Sequence, residues 1–415
     1  MGDMPLPPRS RRRAERSSRA VRPIRVLFVD HEPRLSGGAE QALTEFAAAL
    51  DGQLVEMHAA VVPGPLAVSL EAAGVSIHPL RLSSGLKRVS RWSLTRRPDL
   101  GIRHVTAAIS AAAHLAGIMR RLRPDVVHTN SMKAHVLAAF PARMQRIPIV
   151  WHLRSILPDG WLRRGFALFG RLFASRIVCI SYAVAEAYFG PHQRARVRVV
   201  YDGIPLARFA DADTETWRKR LGAETGDVLI GLVGEISRWK GQDVFVEAAA
   251  SVAQQNPLAR FAIVGECLFP EEEGGFARSV RARARKLGLD GRLVWAGWIE
   301  DVPGAMSAID VLAHTSRLPE PFGRVLVEAM ASGSPVVTTS IGAGPEIVPP
   351  EAGKIVPPDN SVALAAALNE LAADDELRHR MGEAARVAAL HFDVAEHAAG
   401  ILGVWREVVQ AGAAR

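Results

Sequence analysis

Two glutamates, Glu320 and Glu328, are the residues of this sequence whose type and spacing most suggest chemistry. They stand eight positions apart in the segment SRLPEPFGRVLVEAMASGSP. Phe322 and Gly323 follow the first glutamate, and a helix-forming run, Arg324–Ala331, follows them. A proline and a glycine ahead of such a run mark a helix start, which predicts Glu320 in a loop and Glu328 inside the helix. This separation suits carboxylates that hold opposite ends of an elongated ligand, not a paired acid and base.

The predicted start of this helix, at Phe322 and Gly323, is a candidate anion site. The first N–H groups of a helix have no partner inside it, and the helix dipole adds a partial positive charge there. Both properties favour negatively charged ligands, above all phosphate. We therefore expect the backbone at these two residues to face a phosphate-containing ligand.

A second candidate phosphate site is the segment GEISRWKG, which follows the predicted strand Val228–Val233. Arg238 and Lys240 would neutralise a diphosphate through charge-assisted hydrogen bonds, without the help of a metal ion. The 13 histidines show no H-E-x-x-H or comparable spacing, and the two cysteines lie far apart. The sequence therefore predicts neither a bound metal nor a resident cofactor.

A third loop, SGGAE, lies between the first predicted strand, Ile24–Val29, and the helix after it. Gly37 and Gly38 have no side chains, so the backbone there can approach a ligand closely at a helix N-terminus. Ligands of doubly wound sheets bind at this end of the strands. The spacing differs from the dinucleotide pattern G-x-G-x-x-G, and nicotinamide binding is therefore not predicted.

The elements that must position these loops alternate along the chain. Apolar, strand-like runs are separated by helical runs, first from Ile24 to Tyr201 and again from Val228 to Val356. Strands that are apolar on both faces and alternate with helices are typical of parallel sheets. The predicted fold class is α/β, with two doubly wound parallel sheets joined near residue 205.

Length and composition limit the classes of protein to which the chain can belong. The 415 residues allow two or three domains with large cores. Hydrophobic residues make up 48% of the chain, and no run reaches the ~18 uninterrupted apolar residues that span a bilayer. Two distant cysteines fit a reducing compartment, so we expect a cytoplasmic location.

The charge of the chain is divided unevenly. Met1–Val200 holds 30 Lys and Arg against 13 Asp and Glu, whereas the remaining residues hold 21 against 30. A basic first half indicates an anionic partner, either a membrane surface or a negatively charged acceptor, with a solvated basic face as the alternative. Arg81–His104 and Trp161–Arg176 combine basic and apolar residues as segments at lipid interfaces do. For the second segment, a cleft-side helix that buries its aromatic residues in the core is the favoured interpretation.

The segment around the two glutamates resembles the signature of retaining glycosyltransferases of the GT-B fold, family four. That family carries a Glu, seven residues and a Glu, with Phe-Gly after the first and Glu-Ala-Met-Ala at the second. Here the motif is EPFG at Glu320 and EAMA at Glu328. The resemblance covers nearly the whole chain from Ile24, and its specific motifs lie in Gly234–Glu346. It implies two Rossmann-like domains that face each other across a cleft.

The resemblance also implies roles for the charged candidates. Lys240 and Arg238 would stabilise a leaving diphosphate together with the helix start, while Glu320 would bind the sugar hydroxyls and Glu328 the ribose hydroxyls. The lysine matches the phosphate clamp of the family directly. The family arginine that follows the glycine is Glu235 here, and Arg238, three positions on, is expected to supply the missing cation.

Other candidates take their roles from the resemblance alone. His152 aligns with a family histidine that meets the donor sugar, and Trp298 lies where the family seats its nucleobase. The loop with Gly37 and Gly38 would face the cleft beside the donor phosphate and the acceptor. A structural histidine and a packing tryptophan are the alternatives for His152 and Trp298.

The implied domain organisation has four parts. Residues 1–22 form a disordered basic tail, 23–204 an N-terminal acceptor-side domain and 205–389 a C-terminal nucleotide-sugar donor domain. Residues 390–415 form a final helix that crosses back to the N-terminal domain. The predicted tail lacks an apolar core, and it also lacks the apolar region of a secretory signal.

The predicted function is metal-independent, retaining transfer of a hexose-type sugar from a UDP- or GDP-linked donor to a hydroxyl acceptor. A glycolipid or polysaccharide intermediate is the expected acceptor, with peripheral contact to an anionic inner membrane face through the basic N-terminal domain. The alternatives are a nucleotide-sugar epimerase or phosphorylase of the same fold, or a non-catalytic protein that binds sugar nucleotides or anionic polymers. No recognisable module predicts a specific nucleic-acid partner.

Overall fold

The computed structural model describes residues 22–33, 38–83, 85, 104–191, 195–210 and 212–413. The predicted tail up to residue 21, Gly37 and most of the basic segment Arg81–His104 lie outside these ranges. None of the helices in the described ranges combines the length and the apolar character that crossing a membrane requires.

The first half of the chain forms a parallel sheet with seven described strands in the order β3-β2-β1-β4-β5-β6-β7. Its strands are β1 (Ile24–Val29), β2 (Val55–Val61), β3 (Ser76–Pro79), β4 (Val126–Thr129), β5 (Ile149–Leu153), β6 (Arg176–Cys179) and β7 (Val197–Val199). The connecting helices are α1 (Gly38–Ala49), α2 (Pro65–Ala72), α3 (Val105–Leu122), α4 (Met132–Met144), α5 (Trp161–Phe173) and α6 (Tyr182–Phe189).

The second half forms a parallel sheet with six described strands in the order β10-β9-β8-β11-β12-β13. Its strands are β8 (Val228–Val233), β9 (Ala259–Val264), β10 (Leu293–Gly297), β11 (Val311–His314), β12 (Val336–Thr339) and β13 (Gly353–Val356). The helices from the junction onward are α7 (Thr214–Arg220), α8 (Gln242–Gln255), α9 (Pro270–Lys286), α10 (Val302–Ala308), α11 (Arg324–Ser332), α12 (Gly344–Ile347), α13 (Ser361–Ala373), α14 (Asp375–Ala389) and α15 (Val394–Ala413). Short 3₁₀ helices span Leu206–Phe209 and Leu390–Phe392.

The strands are apolar throughout because helices cover both faces of each sheet. In β1, Leu27 and Val29 belong to the core on one face, while Val26 and Phe28 belong to the core on the other. All four side chains are at most 1% exposed. Alternating residues of one strand therefore fill two cores, which explains the uninterrupted apolar run. The predicted pair of doubly wound parallel sheets is confirmed.

The last helix, α15, leaves the second half of the chain and packs on the first sheet. Ile401, Val404 and Trp405 join the core that contains Phe28 and Val126. Glu407 adds ion pairs to Arg176 (2.6 Å) and Arg198 (2.9 Å). The final helix is thus part of the first sheet's core, although it follows the second sheet in sequence.

Each sheet reverses its strand order at one point, which lies between β1 and β4 in the first sheet and between β8 and β11 in the second. Ligands of doubly wound sheets bind outside the carboxyl ends of the strands at such points. The loops that follow β8 and β11 contain Lys240 and Glu320, and Gly38 is the first residue of α1, which follows β1. The topology therefore directs three of the predicted site segments towards ligand-binding positions.

Candidate functional site between the two sheets

Lys240 and Glu320 form the charged centre of the candidate site. The Lys240 Nζ donates to Glu320 Oε2 over 2.8 Å, and both side chains are largely buried. Ser316 Oγ donates to the same oxygen over 3.0 Å, and His314 Nε2 lies 3.4 Å from it. The Lys240 ammonium also lies 4.3 Å from the centre of the Trp239 ring, a cation–π contact. Two predicted site residues, one from each candidate loop, are thus brought into direct contact.

Glu320 is held in its ionised form by these neighbours. Burial by itself raises the pKa of a carboxyl group, but the Lys240 charge and the contact with His314 outweigh burial and hold the pKa of Glu320 well below its usual range. The site therefore keeps a carboxylate, an acceptor of hydrogen bonds, at neutral pH. Such a group suits ligand hydroxyls, which are donors.

Two glycines allow the Lys240 and Glu320 loops to come this close. Gly241 has φ 69°, and a Cβ there would overlap the carbonyl oxygen of Thr315. Gly342 also has φ 69°, and a Cβ there would overlap the backbone of Glu320. Since both residues have left-handed backbone conformations and no room for a side chain, only glycine fits without strain.

The helix α11 begins directly after Gly323, as predicted. Gly323 has φ 89° and ψ 64°, and none of the described side chains caps the helix start. The ring of Phe322 is buried and packs against Tyr201 and Phe392, at centroid distances of 6.3 and 5.8 Å. Its side chain therefore serves packing, which leaves the backbone of this turn as the part that can face a ligand.

Glu328 lies inside α11 in a second charged cluster that joins the two halves of the chain. Arg324 pairs with Glu45 of α1 at 2.7 Å and approaches Glu328 at 3.6 Å. Arg324 also donates to the carbonyl oxygen of Gly203 over 3.2 Å, and Glu45 pairs with Arg208 at 3.0 Å. Burial, with the nearby Glu45 charge, raises the pKa of Glu328 in spite of Arg324. The structure thus separates the two motif glutamates into two environments.

Gly38 belongs to the same meeting point of the two halves. It is the first residue of α1, and a Cβ there would lie 3.0 Å from Cδ of Arg324. The starts of α1 and α11 therefore face each other across the cleft. Gly37 lies outside the described residues, and its predicted role stays a prediction.

Glu346, in the short helix α12 that follows β12, links the second half to the start of α6 in the first. Its two carboxylate oxygens accept from the backbone N–H groups of Tyr182 (2.8 Å) and Ala183 (2.9 Å). The hydroxyl of Tyr201 donates to Glu346 over 3.2 Å. Ser181 Oγ adds a second link by donating to the carbonyl oxygen of Pro321 over 2.6 Å. The segment that carries Glu320 is therefore fastened to the first half directly.

His152 lies within β5, which continues to Leu153. Its side chain is 2% exposed and lines a cavity of about 20 Å³ with Asn130, Ser131 and Arg154. Arg154 forms a buried ion pair with Asp202. His152 is thus a buried residue at the cleft-side end of the first sheet, which leaves its predicted contact with a sugar untested.

Arg238 and Trp298 are not joined to the Lys240–Glu320 pair. Arg238 is 68% exposed in its side chain; it lies 5.4 Å from the Phe276 ring centre and 3.9 Å from Glu273. The Trp298 side chain is 51% exposed just after β10. Glu235, which occupies the family arginine position, accepts a hydrogen bond from Trp239 Nε1 over 2.7 Å. The roles predicted for Arg238 and Trp298 stay predictions.

Several residues of the site were missed by sequence reasoning. His314 and Ser316 touch Glu320, and Ser316 opens the motif segment itself, so its position was a signal. His314 is the last residue of β11, a position at which side chains reach the cleft. Glu45 pairs with Arg324 across the two halves, and local sequence gives no signal for such a contact.

No three described His, Cys, Asp or Glu side chains converge in an arrangement that could hold a metal ion. The chemical groups that the described site offers are therefore a carboxylate, an ammonium group, a buried imidazole and the start of a helix. Together they suit a ligand with hydroxyl groups and negative charge.

Two doubly wound parallel domains with a site in the cleft between them define the GT-B architecture. The sequence model described as glycosyl transferases group 1 matches residues 213–388, and the model described as Glycosyltransferase Family 4 matches residues 36–208. The chain belongs to the GT-B glycosyltransferases of family 4.

Curated relatives carry related names. A D-inositol 3-phosphate glycosyltransferase of Segniliparus rotundus is 29% identical over 304 residues, which is 71% of this chain and 64% of that protein. A mannosylfructose-phosphate synthase of Agrobacterium fabrum is 33% identical over 157 residues, 36% of this chain and 34% of that protein. The chain thus spans less than two thirds of the length of either relative.

Solved structures extend the similarity over most of the chain. Anabaena HepE in complex with UDP and glucose is 26% identical, with a TM-score of 0.76, and the match covers 92% of this chain and 99% of that one. The same protein has also been solved with UDP-glucose. WaaG, a glycosyltransferase involved in lipopolysaccharide biosynthesis, has 17% identity, a TM-score of 0.66, and coverage of 91% and 99%, which shows the shared fold.

Proposed function

We propose that the chain transfers a sugar from a UDP- or GDP-linked donor to a hydroxyl acceptor, with retention of the anomeric configuration and without a metal ion. The observation that carries this proposal is the buried Lys240–Glu320 pair beside the uncapped start of α11. A cation and a helix start suit a diphosphate, and an ionised carboxylate suits sugar hydroxyls. The similarity to HepE, which was solved with UDP-glucose, supports the same class of donor.

Each group has one task in the proposed reaction. The acceptor oxygen bonds to the anomeric carbon as the bond from that carbon to the diphosphate oxygen breaks. The hydroxyl proton passes to the departing diphosphate, and Lys240 with the start of α11 stabilises the charge that develops there. Glu320 binds the sugar hydroxyls, Glu328 the ribose hydroxyls, and His152 lines the sugar. Trp298 offers a face to the nucleobase, and Arg238 is the candidate second cation.

The contacts between the two halves support transfer to an acceptor rather than to water. Glu346, Ser181 and Arg324 join the domains around the cleft, and their partners lie in the opposite half. A cleft closed in this way excludes solvent from the reacting carbon. This favours a transferase over a sugar-nucleotide binding protein that performs no chemistry.

The experiment that tests the donor site is thermal unfolding with UDP, GDP, ADP and their sugars, each with and without EDTA. A ligand that binds only the folded state raises the unfolding midpoint. We expect one diphosphate to raise it, EDTA to leave the shift unchanged and Lys240→Ala to remove it. Lys354→Ala is the matched control, because Lys354 pairs with Glu370 at the surface. No shift with any nucleotide would overturn the donor site.

The acceptor is proposed to be a glycolipid or polysaccharide intermediate at the inner face of the cell membrane, met from the cytoplasm. The support is a set of apolar stripes on three adjacent helices of the first domain. The exposed side chains are Val105 and Ile109 on α3, Val136, Phe140 and Met144 on α4, and Trp161, Leu168 and Leu172 on α5. Their spacing of four or seven residues sets each group on one helix face.

Exposed arginines accompany these stripes. Arg143 and Arg146 lie at the end of α4, and Arg164 lies in the α5 stripe. The aromatic residues of the segment Trp161–Arg176 differ in burial. Phe166 is buried, as the core interpretation predicted, whereas Trp161 is 64% exposed. Apolar side chains flanked by cations suit an anionic lipid surface.

Sedimentation with vesicles tests the membrane contact. We expect binding to vesicles that contain anionic phosphatidylserine or phosphatidylglycerol, and weaker binding to pure phosphatidylcholine. Trp161→Ser with Phe140→Ser should reduce this binding, while Val362→Ser with Val387→Ser, at exposed positions of the second domain, should leave it unchanged. Equal binding by all variants would overturn the membrane contact but not the donor site.

A further inference from the structure

A line of three buried side chains connects the last helix to the cleft. Trp405 in α15 donates its indole Nε1–H to Nδ1 of His128 in β4 over 2.9 Å. The other ring nitrogen of His128, Nε2, lies 3.2 Å from Nδ1 of His152 in β5. The exposed fractions of the three side chains are 0%, 0% and 2%.

The direction of hydrogen bonding along this line is determined by Trp405. An indole nitrogen can only donate, so Nδ1 of His128 must be the bare nitrogen that accepts. Burial, helped by neighbouring positive groups, lowers the pKa of both histidines well below the ordinary value, and each neutral ring carries one N–H. His128 therefore donates from Nε2 to Nδ1 of His152, which leaves the single hydrogen of His152 on its Nε2.

The Nε2 of His152 is the open end of the line. It is buried and has no hydrogen-bond partner among the described residues. The ring lines the cavity that it shares with Asn130 and Arg154, described above. An unpaired buried N–H costs free energy comparable to a lost hydrogen bond, so a ligand oxygen or a water molecule is its expected partner.

We propose that Trp405 and His128 are positioning residues that fix the hydrogen of His152 on Nε2, so that His152 meets its ligand as a hydrogen-bond donor. This inference rests on the proposed function, in which His152 lines the sugar of the donor. Without the indole, the two histidines can form the same hydrogen bond in the opposite direction. His152 would then donate from Nδ1 to His128 and present a bare Nε2, which can only accept. The last helix, α15, thus determines the tautomer of His152 in the cleft.

The first test is made on the free protein and needs no ligand. Nitrogen-15 NMR of labelled histidine distinguishes protonated from bare ring nitrogens, and His128→Gln and His152→Gln identify the two signals. We expect both rings at neutral pH to be bare at Nδ1 and protonated at Nε2. A hydrogen on Nδ1 of either ring in the unaltered protein would overturn the inference.

The second test removes the indole donor but keeps an aromatic ring. Trp405→Phe should give mixed signals for His152, with a bare Nε2 in part of the molecules. Trp151→Phe is the matched control, because Trp151 is 1% exposed and its Nε1 has no partner among the described residues. Unchanged His152 signals in Trp405→Phe would overturn the inference.

The third test measures the effect on ligand affinity. If half of the molecules adopt the other arrangement, the apparent affinity for the nucleotide sugar falls about twofold, because only the competent fraction binds fully. Affinity for the bare diphosphate, UDP or GDP, should stay unchanged in the same variant, since His152 faces only the sugar. Equal losses for both ligands would contradict the proposed route through His152. If neither ligand binds the unaltered protein, the proposed function fails, whereas the NMR result still decides the inference.

Discussion

Glu320 is a buried carboxylate whose charge depends chiefly on Lys240, 2.8 Å away. Because its pKa in the folded protein lies below the usual value, ionised Glu320 stabilises the fold above its unfolded pKa of ~4.3, and this contribution is lost as the pH falls. Lys240→Met removes the cation and leaves an unpaired buried charge. We expect the free energy of unfolding to fall by about 3–5 kcal/mol at pH 8, measured with urea.

The pH dependence of this loss provides the internal check. Without Lys240, burial becomes the dominant influence and raises the pKa of Glu320 in the variant. The folded variant then takes up a proton as the pH is lowered, and its deficit should shrink towards pH 5. Lys354→Met, at a surface pair, should cost less than about 1 kcal/mol at both pH values. Equal deficits for Lys240→Met at pH 8 and pH 5 would contradict this interpretation.

His135 makes the fold sensitive to mild acid. Burial lowers its pKa from the usual value to about 3, since the charged form is poorly solvated inside the protein. Between about pH 6.5, where unfolded histidine titrates, and pH 3, the unfolded chain binds a proton that the folded chain does not. The contribution of neutral His135 to the free energy of unfolding is therefore complete above pH 6.5. It decreases as the pH is lowered, by up to about 1.4 kcal/mol per pH unit.

The variant His135→Asn tests this slope. Asparagine keeps an N–H near the position of Nδ1, which contacts Thr129 Oγ1 at 2.6 Å, but it does not titrate. Urea unfolding between pH 7 and pH 5 should therefore give a shallower loss of stability in this variant. His379→Asn, at an exposed position, should keep the slope of the unaltered protein. Parallel slopes for both variants would show that His135 is not the source.

At the scale of elements, the loop after β12 determines where Glu320 lies. Gly342 has φ 69°, and its backbone pairs with that of Glu320 so closely that a Cβ would overlap it. Gly342→Ala should lower the free energy of unfolding by about 1–3 kcal/mol and weaken nucleotide-sugar binding, because the glutamate loop must move. Unfolding in urea and calorimetric titration measure the two effects.

Gly403 provides the matched glycine. It lies within α15, and a Cβ there would meet no atom of the described residues within 4 Å. Gly403→Ala should therefore raise the free energy of unfolding by about 0.5–1 kcal/mol, because alanine favours helix, and should not change binding. If both alanine variants behaved alike, the close approach at Gly342 would not control the site.

The elements themselves were largely predictable from local sequence. The predicted strands Ile24–Val29 and Val228–Val233 match the observed bounds, because a strand buried on both faces needs an apolar residue at every position. The strand β5, Ile149–Leu153, contains His152. His152 is buried beneath α15, a helix that lies more than 200 residues away in the sequence. No local sequence pattern encodes this burial.

The candidate site was predictable where it depends on a motif and not where it depends on contacts across the chain. The Glu320 segment and Lys240 were found from their spacing, and the structure joins them. The pairs Trp405–His128 and Glu346–Tyr182 were not found, because each side chain is ordinary in its own segment. Their importance arises only when the fold brings two distant segments together.

At the scale of the whole molecule, Glu346 forms hydrogen bonds that hold the two domains together. It belongs to the second domain, and each of its carboxylate oxygens accepts one backbone N–H from the start of α6, at Tyr182 and Ala183. A carboxylate suits this position in two ways: it has two accepting oxygens, and its charge complements a helix N-terminus. The closed arrangement of the cleft therefore depends in part on this one side chain.

Glu346→Gln should favour separation of the domains. An amide has only one accepting oxygen, so its NH₂ group would face one of the two N–H donors. Loss of a charge-assisted bond costs about 1.5–3 kcal/mol, and since ~1.4 kcal/mol is a factor of ten, the ratio of open to closed molecules should rise at least tenfold. Small-angle X-ray scattering should show a larger radius of gyration, and nucleotide-sugar affinity should fall. Glu351→Gln, at an exposed position, should change neither quantity. If Glu346→Gln kept the compact scattering profile and the unaltered affinity, the closed arrangement would depend instead on the Arg324–Glu45 and Ser181–Pro321 contacts.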